Sequence, residues 1–300
     1  MTITRKLIGF LDRTETRAIL SRFATAYVHF AGFNHASVFF DEPSGCWVRK
    51  DDKHFIIDEP EFNYYAAHLK GWPRYFDRLF ERAREFYYYG YTPKAGDIIF
   101  DVGAAIGTDT VVFSEDVGAS GRVYAFEAHP ASAAKLRRMV ELQKLQNVVV
   151  VDKAVSNAPA TFYISTEEDH ESNTIATGQR SPNTQAVQGL RLDDYCAEHG
   201  VERIDFLKMN IEGAETVALE GISGCKDLVS CICVCCHDFL WQQTGHVHYK
   251  TLSRVRELLE GYGFEVTQRM DDSRPHVHDH LWAVPRRFSS CGERINGENA

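Results

Sequence analysis

The segment Asp97-Ile-Ile-Phe-Asp-Val-Gly-Ala-Ala-Ile-Gly107 constrains this chain more than any other. It reads as a buried strand that ends in an acid, then a glycine turn, then the start of a helix. Some twenty residues past Gly107 a second strand follows, Arg122-Val-Tyr-Ala-Phe-Glu127, and it too ends in an acid. A strand, glycine turn, helix, strand and acid in that order is how α/β proteins hold an adenosine-containing cofactor. The glycines let the backbone approach the ligand, and the second acid accepts hydrogen bonds from ribose hydroxyls.

The glycine spacing bears on which cofactor. A dinucleotide fingerprint, G-x-G-x-x-G, makes room for a pyrophosphate with its middle glycine. Here Gly103-Ala104-Ala105-Ile106-Gly107 lacks that glycine, and Asp101 precedes the turn. An acid there repels a pyrophosphate and suits an ammonium. S-adenosylmethionine carries an ammonium and a sulfonium and no phosphate. Two other readings stay open at this point: a nicotinamide-dependent oxidoreductase, which shares the strand–acid layout, and a cofactor fold without catalysis.

Three hundred residues suffice for one large domain with an appended piece. The net charge of −9, with no block of like charge, argues against nucleic acid or an anionic membrane as the main partner. A small-molecule or neutral substrate fits better, and an oligomer is compatible with the sequence. No apolar run is long enough to predict a membrane span, and no secretory signal is recognisable. Four of the eight cysteines fall in Cys231-Ile-Cys-Val-Cys-Cys236. At strand spacing Cys231, Cys233 and Cys235 share one face, about 6–7 Å apart. Zinc sites favour C-x₂-C knuckles in turns, so the run reads as buried strand with no metal. Free core thiols lead to the expectation of a reducing, cytoplasmic setting.

Residues 1–92 lack βα alternation and read as an aromatic-rich, mainly helical extension that packs over the rest as an accessory or lid region. Phe76, Leu79, Phe80 and Ala83 mark a helix over 72–89. The Phe86–Tyr91 cluster reads as core packing rather than substrate stacking. The alternation then runs through 93–286, with a hydrophilic loop over 165–188, and residues 287–300 read as a polar tail. The last two strands, Phe264–Met270 and His280–Val284, are joined too closely for a crossover helix and should pair antiparallel. His276, His278 and His280 alternate; a polar loop is favoured over a metal-binding row.

A second rich segment, Arg203-Ile-Asp-Phe-Leu-Lys-Met-Asn-Ile-Glu-Gly-Ala-Glu215, places a strand end beside acids in a helix's first turns. Here the chain resembles the FkbM-type methyltransferases, a branch of the S-adenosylmethionine-dependent class I enzymes. The matching pieces are Phe100–Gly107, Val123–Pro130, Leu192-Asp-Asp194 and Leu207–Glu215, and they cover roughly 95–285. The resemblance implies an α/β, Rossmann-like class I methyltransferase fold: a seven-stranded, mostly parallel sheet with an antiparallel final pair. It also implies methyl transfer, mostly to hydroxyls of sugars or natural-product scaffolds, which narrows the partner to a small-molecule or glycosidic hydroxyl acceptor. The family pattern is usually Lys-x-Asp-x-Glu-Gly, and this chain has Asn210 at the aspartate. Asparagine is no general base and a weaker ligand for a divalent cation.

The expected roles follow. Gly103, Ala104 and Gly107 form the turn against which the methionine and ribose parts lie. Asp101 meets the ammonium, directly or through water, and Glu127 holds the ribose diol. Asp152, just past the third strand, is a candidate for the adenine amino group, a solvated loop acid being the other reading. His237, directly after the fifth strand, is the candidate base for the acceptor hydroxyl, and Asn210 orients that acceptor through its amide. Lys208 is expected to pair with Glu212.

Overall fold

The structure is a computed structural model, and it describes residues 12–62, 72–165, 175–176 and 184–289. At its centre are strands β4 (Ile98–Val102), β5 (Arg122–Phe126), β6 (Val148–Val151), β11 (Phe206–Met209), β12 (Ile232–Cys235), β13 (Phe264–Thr267) and β14 (His280–Pro285). They form one seven-stranded sheet in the order β13-β14-β12-β11-β4-β5-β6. The pairs among β12, β11, β4, β5 and β6 are parallel, while β14 is antiparallel to both neighbours. The chain order reverses between β4 and β11, and the carboxyl ends of those strands frame the crevice where such sheets bind ligands.

Side-chain alternation divides this sheet into two dry faces. Phe100, Val102, Leu207, Met209, Ile232 and Val234 share one core. That core takes in helices α5 (Leu192–His199), α6 (Glu215–Glu220) and α8 (Leu252–Gly261). Ile99, Phe206, Cys231, Cys233 and Cys235 face the other way, under α3 (Thr108–Val117). The cysteine run is therefore a buried strand whose odd-numbered thiols share a face, as the spacing predicts. All seven described cysteines are free.

The described N-terminal residues are mainly helical, with helices of 14 and 16 residues, and they also hold a small sheet that the sequence reading lacks. Helix α1 (Arg17–Phe30) precedes a three-stranded antiparallel sheet of β1 (Ser37–Asp41), β2 (Cys46–Lys50) and β3 (Phe55–Ile57). Buried Val38, Cys46, Trp47, Val48, Ile56 and Ile57 come from these strands. The strand signal is muted because Asp41, Arg49 and Asp58 interrupt it, and each is held by a partner. Arg49 grips Asp58 at 2.7 and 2.8 Å, and Arg138 of α4 (Pro130–Gln143) reaches Asp41 at 2.7 Å. Helix α2 (Trp72–Tyr87) has the predicted span. It joins the same core as α3, with Arg84 bonded to Asp116 at 2.8 Å and Trp282 Nε1 donating to the Tyr87 carbonyl at 3.0 Å.

The stretch read as a hydrophilic loop is partly β. Strands β7 (Ala154–Val155), β8 (Thr161–Ser165), β9 (Ile175–Ala176) and β10 (Thr184–Leu190) form a second sheet, with β8 and β10 antiparallel. Phe162, Ile164 and Val187 supply its buried side. The remainder of that loop, and the tail from 290, lie outside the described residues. His276 and His278 sit in a 3₁₀ turn and only His280 is on a strand, so the three imidazoles do not form a row on one face.

Candidate active site

Two adjoining cavities open at the carboxyl end of the central sheet. The larger, about 580 Å³, is bounded by the turn after β4, the end of β5 and the loop after β11. The smaller, about 430 Å³, lies between the end of α2, the end of β12 and the turn before β14. Arg82, Tyr87 and Asn210 line both, so these three side chains form the shared wall.

The first cavity is built around Glu127. One carboxylate oxygen accepts from the Ala105 N–H at 2.8 Å and the other from the His129 N–H at 2.7 Å. This locks the β5 terminus to the glycine turn and leaves the remaining lone pairs for a ligand. Burial raises the Glu127 pKa, and the two N–H groups pull it back down. Gly103 has φ +79°, and a Cβ there would stand 2.0 Å from the Asn210 carbonyl oxygen. That close approach of two loops is open only to glycine. Ala105 and Glu212 both take left-handed φ without being glycine, at 49° and 54°, and both line this cavity. Backbone of this kind persists where surroundings over-determine it, and it gathers at ligand sites.

Asp101 does not line the cavity. Its carboxylate is fully buried, one oxygen 2.8 Å from Lys208 Nζ and the other 2.6 Å from the Thr110 hydroxyl. A carboxylate at that point of the strand faces α3 rather than the crevice, which corrects the expected direct contact with an ammonium. Lys208 also donates to the Gly103 carbonyl at 2.8 Å and lies 3.8 Å from Asp109. Its partners are therefore Asp101 and Asp109, and the expected pairing with Glu212 is not formed. Burial alone would lower the Lys208 pKa, but the two aspartates hold it well above the ordinary lysine range. Asp109, absent from the sequence expectations, does line the cavity, and it accepts the Tyr87 hydroxyl at 3.1 Å.

Two other expected contacts fall elsewhere. Gly107 is outside the lining; it begins α3 at φ +93°, and a Cβ there would meet Leu136 Cδ1 at 2.6 Å. Its role is the packing of α3 on α4. Asp152 is exposed and paired with Arg137 at 2.8 Å, while its neighbour Lys153 lines the cavity. Ala104, Gly103, Glu127 and Asn210 all line the larger cavity. Asn210 Oδ1 is buried with no hydrogen-bond partner among the described residues, an acceptor held at the junction of the cavities.

His237 lines the second cavity. Its Nδ1 is 3.0 Å from buried Glu215 Oε1, and its Nε2 is 3.5 Å from Glu212 Oε1. Burial works against its charge, yet Glu215 and then Glu212 outweigh it and push the pKa to about 9. Both carboxylates favour the charged form of the ring, and the expected role of base for the acceptor hydroxyl would require it to be neutral first. Asp238 beside it caps α8, accepting the Thr251 and Leu252 N–H groups at 2.9 Å. Phe86, Phe239, His276 and His280 complete the ring-lined part of this wall, so two residues of the aromatic cluster read as core, Phe86 and Tyr87, do face a cavity.

The donor set of the larger cavity suits a cation. Asp109, Glu127 and Glu212 line it, against Lys153 and the shared Arg82. Its volume is that of a cofactor cleft.

Comparison with known proteins agrees with this architecture. The family described as the methyltransferase FkbM domain matches residues 101–266. The 2-O-methyltransferase NoeI of Sinorhizobium fredii (strain NBRC 101917 / NGR234) is 26% identical over 145 residues, which cover 43% of this chain and 58% of that protein. The match thus spans less than two thirds of that relative's length. Among solved structures, methyltransferase FkbM from Methylobacillus flagellatus KT is 15% identical over 73% of this chain and 52% of that one, with a TM-score of 0.43. Aeropyrum pernix fibrillarin, with natively bound S-adenosyl-L-methionine, is 17% identical over 69% of this chain and 76% of that one, with a TM-score of 0.42. At these values neither structure bears on fold or substrate.

Proposed function

The chain belongs to the FkbM methyltransferase family, whose methyl donor is S-adenosylmethionine, and on that premise we propose that it methylates a hydroxyl oxygen of a small or glycosidic molecule. When bound, the donor supplies an electrophilic methyl group on a sulfonium. The residues present fit it: Glu127 stands ready for a diol, and Asp109 and Glu212 answer positive charge. The observation that carries the reading is the shared wall. Asn210 and Tyr87 line both cavities, so a donor in one and an acceptor in the other would approach each other beside these two residues. Alignment of this kind is the larger part of what a displacement needs.

The acceptor hydroxyl must lose its proton as the new bond forms. Glu212 lines the donor cavity and lies 3.5 Å from His237 of the acceptor cavity, so it is the carboxylate at the junction that we assign to take that proton, relayed through the His237 side. His237 steadies the Glu212 charge, and Glu215 fixes the His237 ring from behind. The Asn210 amide orients the acceptor oxygen. A hydroxyl acceptor is consistent with the 2-O-methyltransferase relative.

The test is release of S-adenosylhomocysteine from S-adenosylmethionine in the presence of mono- and disaccharides and phenolic glycosides, with calorimetry of the donor alone. Donor binding with methylated oxygen in the product is expected. Donor binding with methyl on nitrogen or carbon would overturn the hydroxyl assignment, and no donor binding would overturn the whole reading.

A further inference from the structure

The two cavities differ in charge. Carboxylates of Asp109, Glu127 and Glu212 line the donor side, whereas no carboxylate is among the described lining residues of the second cavity. That second lining carries one guanidinium, Arg82, and the imidazoles of His237, His276 and His280. The charge on His237 is answered by Glu212 and Glu215 behind it. His276 is held towards its neutral form by burial, by His280 and by nearby arginines, Arg82 among them. Burial works against charge on His280, yet Cys235 draws the ring towards its charged form and answers that charge, so Arg82 is the permanent cation of this cavity.

Among the described residues no carboxylate forms an ion pair with Arg82. The contrast is Arg274, whose guanidinium also lies over the Phe86 ring, at 4.9 Å, but is held by Glu85 at 2.6 Å and Asp272 at 2.7 Å. Arg82 lies over Phe86 at 5.5 Å with no such anchor. A guanidinium steadied on an aromatic ring keeps its in-plane N–H fork for a planar or tetrahedral oxyanion. Around it, Phe86 and Phe239 give the cavity two ring faces, Asn210 and Gln243 give it amides, and its volume of about 430 Å³ suits a molecule of one sugar or phenolic ring with substituents.

We propose that Arg82 binds a carboxylate or phosphate on the methyl acceptor, so that the acceptor is an acidic hydroxylated ring compound. This rests on the methyl-transfer reading above. Arg82 borders both cavities and feels Asp109 on the donor side, but with no ion-pair partner among the described residues its fork can select against neutral isosteres and hold anionic ones.

The test uses the full chain saturated with S-adenosylhomocysteine. Calorimetry compares glucuronate with glucose, glucose 6-phosphate with glucose, and 4-hydroxybenzoate with 4-hydroxybenzyl alcohol. The same pairs are then run on Arg82→Gln and Arg82→Lys. At least one anionic member is expected to bind about ten- to a hundredfold more tightly than its neutral partner. That preference should vanish in Arg82→Gln, return in part in Arg82→Lys and shrink with added salt. The carboxylate and phosphate arms distinguish the two anion sources. No anionic preference in any pair, or a preference that survives Arg82→Gln, would overturn the assignment. So would weakened donor binding in Arg82→Gln with acceptor affinity unchanged, which would give the guanidinium to the donor's own carboxylate. Failure of the wild-type chain to bind S-adenosylhomocysteine at all would instead strike the methyl-transfer reading.

Discussion

Lys208 and Asp101 stand directly opposite each other on neighbouring parallel strands, and their charged ends meet at 2.8 Å with both side chains sealed from solvent. Every charged atom of the pair is used: Thr110 satisfies the second carboxylate oxygen, and the Gly103 carbonyl and Asp109 take the rest of the ammonium. The pair ties the glycine turn to the strand beside it, one step below the donor cavity.

Breaking it should be costly. Lys208→Met or Asp101→Asn leaves a buried group without its counter-charge, a loss of about 3–5 kcal/mol in urea unfolding. The double variant should lose less than the two singles combined, because neither orphaned charge remains. Single losses under about 1 kcal/mol would show that the pair is not the tie described.

The two turn glycines should separate in their effects. Gly103→Ala sets a Cβ against a carbonyl oxygen of the opposite loop, where no side chain can yield. It is expected to abolish donor binding and to destabilise by several kcal/mol. Gly107→Ala meets the end of a leucine side chain, which can shift, so it should retain measurable donor binding. Calorimetry with S-adenosylhomocysteine reads both.

Glu127→Ala removes a carboxylate that serves the Ala105 and His129 N–H groups as well as the ligand. Donor affinity should fall at least about tenfold. Glu127→Gln keeps one acceptor oxygen and should fall less. Unchanged affinity in the alanine variant would remove the carboxylate from the donor site.

His237 gives a stability signature in pH. Its folded pKa of about 9 lies above the ordinary histidine value, so its contribution is whole below about pH 6.5 and is lost as pH rises through 9. The difference in unfolding free energy between wild type and His237→Gln, on the order of 3 kcal/mol at pH 6, should shrink towards zero by pH 10. Turnover should fall over the same alkaline range, and His237→Ala should reduce turnover far more than donor affinity. A flat difference across that range would mean that the ring is neutral in the folded chain.

Much of the central sheet was legible because each strand there is a short apolar run closed by a turn residue, and the period of two survives even in the cysteines. The β1–β3 sheet was not, because its inward charges Asp41 and Arg49 look like loop residues until Arg138 and Asp58 are seen beside them. Glu127 could be placed from its position after a strand. Asp101 could not, because its register against Lys208 is a cross-strand fact between residues far apart in sequence. Asp109 carried a signal that was passed over, an acid two residues past the turn in a first helical turn. Tyr87 and Arg82 carried none, since nothing in a helical heptad says which crevice its end will reach.

The hydrogen bond from Trp282 to the Tyr87 carbonyl joins positions 195 apart along the chain. The acceptor cavity takes walls from both sides of that link, whereas most of the donor cavity is complete by residue 212. The smaller cavity therefore needs the two ends of that long loop brought together, and every described residue lining the larger one stands at or before Glu212.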